Sequence, residues 1–163
     1  MYALAMLLIP IWSLGQADSL THWQKDSLQI NSMQKLRSFY NCISIVSNPG
    51  NNTMLRDMAS KRAKELFYGT DCSVDGKMVN AFVDSCYNLK KGLDWKVEEV
   101  KIKGALKEKP NVLGNDNYEG VLSFTLTSGG NTSTKSAFIT LAKAKTSQTD
   151  AKSKWSVFIC DIR

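Results

Sequence analysis

The stretch GLDWKVEEVKI, residues 92–102, is where this chain changes period. Before Gly92, apolar residues recur every three or four positions; after it they alternate. Trp95 and Val97 share one parity, Val100 and Ile102 the other. The Glu98-Glu99 pair lies at the change of phase and predicts a β-bulge. A helical half followed by a strand half defines an α+β domain.

Upstream, three helices are expected. The first spans about Leu20 to Val46, with Ile30, Met33, Leu36, Tyr40 and Ile43 on one face. Asn48-Pro49-Gly50 ends it, because proline cannot extend the hydrogen-bond ladder. Asn52 or Thr53 caps the second helix, whose expected buried stripe is Leu55, Met58, Ala59, Ala63, Leu66 and Phe67, with Gly69 as its stop. The third is expected to start near Asp75, to bury Met78, Val79, Phe82, Cys86 and Leu89, and to stop at Gly92. Lys90 and Lys91 suit the negative end of its dipole.

Downstream, Lys107 to Asn117 is expected to be a turn-rich connection. Tyr118 to Thr127 alternates cleanly, with Leu122, Phe124 and Leu126 facing one way. Ser128 to Asn131 supplies a hairpin. Ala137 to Ala144 and Lys154 to Ile162 are the remaining strands. The last is apolar on both faces, which predicts a central or doubly covered strand. Regular alternation puts Asp161 on the side of Trp155, Val157 and Ile159. The expected architecture is three N-terminal helices packed on a curved four-stranded antiparallel sheet.

This order of elements resembles the nuclear transport factor 2-like superfamily, the cone-shaped fold of many small bacterial envelope proteins. The closing segment, Lys154-Trp155-Ser156-Val157 then Phe158-Ile159-Cys160-Asp161-Ile162, looks like the last strand of several such domains. The resemblance implies a cone between helices and sheet. It also implies that an acidic or histidine base would sit there in any enzymatic member.

Met1 to Ala17 carries no charged side chain and contains an apolar run, Ala3 to Trp12. It reads as a secretory signal cleaved after Gly15-Gln16-Ala17, leaving Asp18 first and residues 18–163 as one domain. The run is about half the ~20 residues a spanning helix needs. A positive n-region is missing, so a retained anchor and a misplaced start remain alternatives. Membrane contact is expected only through an uncleaved signal. The expected location is periplasmic or secreted.

Export decides how Cys42, Cys72, Cys86 and Cys160 are read. They lack CxxC spacing and His22 is the single histidine, so no metal site is expected and disulfides are. Three complete pairings stay open. Free buried thiols are the alternative.

The formal net charge is +6, with six basic and two acidic residues from Lys135 to Arg163. Lys143, Lys145, Lys152 and Lys154 form a candidate basic contact surface within a solvated hairpin loop. No aromatic residues interleave with them, so nucleic acid is not an expected partner. Sequons occur at Asn51 and Asn131.

No nucleotide-, metal- or serine-hydrolase motif is present. No catalytic residue and no cofactor is assigned. Three functions fit. The first is an exported, non-catalytic binding protein acting through protein–protein contacts, such as an accessory envelope or secretion-system component or an immunity-type inhibitor. Its partner would be an acidic protein. The second is a carrier of a small apolar ligand in the cone, lined by residues such as Trp95, Phe124, Phe138 and Met78. The third is a small isomerase or dehydratase-type enzyme using Asp161 or a glutamate, with the carboxyl pKa raised by burial.

Overall fold

The structure, a computed structural model, describes residues 21–69, 71–110, 116–144 and 154–163. Residues 1–17, expected to be a secretory signal, and the candidate contact residues Lys145 and Lys152 lie outside the described residues.

Helix α1 spans His22–Ser47. Thr21 caps it in a reciprocal box. Its Oγ1 accepts from the Gln24 N–H at 3.3 Å, and Gln24 Oε1 accepts from the Thr21 N–H at 2.9 Å. Helix α2 spans Thr53–Glu65 and is capped by Asn52 Oδ1, which accepts from the Leu55 N–H at 2.7 Å. The third helix does not start near Asp75. A tight hairpin comes first, with strand β1 at Ser73–Val74 and strand β2 at Lys77–Met78. Asp75 (φ 50°) and Gly76 (φ 78°) form its turn. An Asp-Gly pair favours the primed turns that hairpins use, and this preference overrides the helical spacing around it. Helix α3 then spans Val79–Tyr87.

Four long strands follow: β3 (Trp95–Pro110), β4 (Asp116–Ser128), β5 (Asn131–Ala144) and β6 (Lys154–Ile162). They run antiparallel in sequence order, as expected. The expected sheet of four is nevertheless incomplete. The sheet has six strands in the order β2-β1-β6-β5-β4-β3, and β1 pairs parallel with β6. It is therefore mixed, and β6 is interior as its two apolar faces require.

Two irregularities bend β3. The register shifts between Glu98 and Lys101, with Glu99 at φ 49°, which is the bulge the sequence predicts. It shifts again between Lys103 and Lys107. There Leu106 folds over Gly120, and a Cβ on Gly120 would lie 2.6 Å from Leu106 Cδ2. Lys107 to Pro110 are strand rather than connection.

Phe39 and Tyr40, adjacent on α1, are buried on two sides of the core. Phe39 meets Phe67 edge-on at 5.1 Å and Phe82 at 6.2 Å. Tyr40 meets Trp95 at 5.4 Å and Phe124 at 5.7 Å. Leu36, Ile43 and Val46 extend the same stripe. Ile30, expected on this face, points to solvent. A smaller cluster of Leu28, Tyr118, Leu141 and Val157 closes the other end. Arg56 ties helix ends together: its Nε donates to the Val46 carbonyl at 2.8 Å, and its Nη2 donates to the Tyr87 carbonyl.

Removing the Phe39 ring deletes three aromatic contacts from a fully buried site. Phe39→Ala should lower unfolding free energy by about 3–5 kcal/mol, measured by urea denaturation. A loss of less than ~1 kcal/mol would show that the core collapses around the gap.

Candidate functional site

Buried side chains pack between helices and sheet. Trp95 and Phe124 are there as expected, locked against Tyr40. Phe138 and Met78 are not. Phe138 lies in a cross-strand row with Lys103, Val121 and Asp161, on the sheet face opposite Leu122. The Arg163 guanidinium covers its ring at 4.9 Å. Met78 is exposed at the β2 hairpin.

A bulge explains this outer row. The β5–β6 register shifts between Phe138 and Ile139. Val157, Ile159 and Ile162 are buried, while Cys160 and Asp161 are only half-buried. Asp161 therefore does not share a face with Ile159, contrary to expectation, because the extra residue flips the phase. Asp161, Thr140, Phe138, Lys103 and Glu119 line a cleft of about 420 Å³ on that outer side.

Asp161 acts as a clamp. Its Oδ1 accepts from the Ser73 N–H at 2.9 Å and the Ser73 hydroxyl at 2.7 Å. Arg163 pairs with Oδ2 at 3.3 Å. Burial opposes its charge, but the Ser73 bonds and then Arg163 outweigh burial and hold the carboxyl below its ordinary value. A raised pKa, which a general base would need, is the opposite of what this geometry produces.

The other acid–base candidates are engaged with neighbours. Glu98 pairs with Lys96 at 2.6 Å and Glu99 with Lys101 at 4.0 Å. The His22 side chain is 94% exposed and lies 3.0 Å from Asp26. Among the described residues, no cluster of three His, Cys, Asp or Glu is placed to hold a metal. No described helix is long and apolar enough to cross a membrane.

Cys42, Cys72, Cys86 and Cys160 are all free thiols here, so the expected bridges are not formed. Cys42 sits on α1 near Arg62, and Cys86 on α3 near Ser85 and Lys77. Cys72 and Cys160 are neighbours, since Ser73 and Asp161 are parallel partners one residue on. The Thr140 hydroxyl lies 2.9 Å from the Cys160 sulfur. Burial, then the nearby Cys160, pushes the Cys72 thiol up to about 11. A thiol held neutral in this way is a poor nucleophile.

The remaining feature is the outward face of α2. Ala59 and Ala63 are its buried residues, four apart. Such small side chains let the helix approach its neighbours closely. Leu55 and Met58, expected in the buried stripe, are instead exposed, the latter at 62%. Met54 is 73% exposed. Lys61 and Arg62 continue this face toward the helix C-terminus, both exposed. Ala59 and Ala63 were the available signal for this orientation. The same spacing placed Leu66 and Phe67 inward correctly, and both are buried.

Lys143 and Lys154 are strand residues at one end of the β5–β6 ladder, Lys143 opposite Trp155 and Lys154 opposite Ala144. Their side chains lie outside the described set. Asn131 begins β5 and is exposed. Asn51 donates through Nδ2 to the Ile45 carbonyl at 3.0 Å, so its amide is already in structural use.

No family model, curated protein or solved structure significantly matches this chain.

The Asp161 clamp has a defined pH signature. Its folded pKa lies below the ordinary 3.8, so its stabilisation is present above about pH 3.8 and is lost as pH falls through the folded value. Asp161→Asn should cost about 1 kcal/mol at neutral pH, and urea unfolding should show the gap to wild type closing in strong acid. A gap independent of pH would remove the charge from the explanation. Iodoacetamide should leave Cys72 unmodified in the native protein under mildly alkaline conditions and label it on unfolding, by peptide mass mapping. Native labelling as fast as unfolded labelling would contradict its burial.

Proposed function

We propose that this chain is an exported, non-catalytic binding protein that recognises an acidic protein partner across the exposed face of α2. The observation that carries this reading is the run Met54, Leu55, Met58, then Lys61 and Arg62, on a helix whose inward contacts are made by alanines. An apolar patch leading into cations suits a partner that is itself amphipathic and acidic. Flexible methionine side chains adapt to such surfaces. The leader and the net charge of +6 agree with export and with an acidic partner.

The resemblance to the nuclear transport factor 2-like superfamily is part of the same proposal. A long helix laid across a bent sheet of long antiparallel strands supports it. Carriage of an apolar ligand between helices and sheet has less support, because Tyr40, Trp95 and Phe124 occupy that space.

Affinity capture from the native extract tests the reading. The double variant Met54→Lys/Met58→Lys should keep the wild-type circular dichroism spectrum and lose the captured partner. Ile30→Lys, exposed on the other helix, should retain it. An unchanged partner set in the double variant would reject the α2 face.

A further inference from the structure

Lys35 lies midway along α1 with its side chain half-buried. Its ammonium donates to the Val157 carbonyl and stands 4.7 Å over the Phe158 ring. Arg62 of α2 lines the same cleft, a volume of about 290 Å³ between α1, α2 and β6. Asn31, Gln34, Ser38 and Trp155 complete its polar wall.

Among the described residues, two cations share this cleft without a counter-ion. Among the described residues neither Lys35 nor Arg62 has a carboxylate within 4.0 Å, whereas Lys64, Lys96, Lys101, Lys109 and Lys135 each do. Glu65, one turn beyond Arg62, makes no ion pair with it. Partial burial of an ammonium beside a second cation is unfavourable on two counts, lost hydration and like-charge repulsion. Both act on Lys35, burial first and Arg62 second, and both lower its pKa. An anion between the two cations would relieve both. Lys35 spends one donor on Val157, which leaves its remaining N–H groups and the Arg62 fork for a ligand.

We propose that the cleft between α1, α2 and β6 binds an oxyanion, a carboxylate or phosphate group, between Lys35 and Arg62. Arg62 also ends the exposed α2 face, so the site adjoins the partner surface. It does not depend on that surface.

The test uses the full chain and two small probes, sodium phosphate and glutarate, at neutral pH and constant ionic strength. Backbone amide shifts of Lys35 and Arg62 and the Trp155 indole report binding by NMR. At least one probe should saturate, and the one that does identifies the oxyanion type. Lys35→Gln and Arg62→Gln should each weaken it roughly tenfold or more, about 1.4 kcal/mol. Lys35→Arg should stay within a few-fold of wild type. If Lys35→Gln fails to fold, Arg62→Gln decides alone, since Arg62 is exposed. Linear shifts with both probes, or saturation unchanged in Arg62→Gln, would overturn the site. Met54→Lys/Met58→Lys should bind the probes like wild type, so failure of the partner reading and failure of the oxyanion site are separable.

Discussion

The structure rests on one step along α1, where the neighbours Phe39 and Tyr40 are both buried. Adjacent residues on a helix point about 100° apart. Phe39 therefore faces the helix layer, through Phe67 and Phe82, while Tyr40 faces the sheet, through Trp95 and Phe124. A single helix thus organises both layers. The edge-on ring contacts fix its rotation, because a turned helix would break both sets together.

The second constraint is the extra residue in β6. Without it, Ile162 and Ile159 would face opposite ways. With it, both enter the core, and Cys160 and Asp161 turn outward together. Asp161 then receives both Ser73 donors, and that bond pattern holds the short β1 strand parallel to β6. The carboxylate that alternation marked as a potential base is thereby committed to joining strands.

The helix layer shows the same contest between spacing and size. Of the expected stripe, Ala59, Ala63, Leu66 and Phe67 are buried, while Leu55 and Met58 are exposed. Leu55 and Met58, with Met54, instead form the apolar half of an exposed face that ends in Lys61 and Arg62. Arg62 in turn lines the same cleft as Lys35, so the packing of α2 brings together two cations far apart in sequence.

By itself, the sequence determines the α+β class, the existence of the four main strands, the bulge at Glu98-Glu99 and the cap at Asn52. Each follows from local chemistry: alternation, proline and glycine stops, and side-chain oxygens that accept backbone N–H groups. The Asp75-Gly76 hairpin was equally local and lay hidden only because helical spacing ran across it. The tertiary structure alone decides three things: that Leu55 and Met58 fall outside the buried stripe of α2, which way Asp161 points, and that Lys35 and Arg62 share a cleft. These depend on how closely two helices approach and on one unpaired residue in a strand. Periodicity records which positions are apolar, but not which of two faces the rest of the chain will cover.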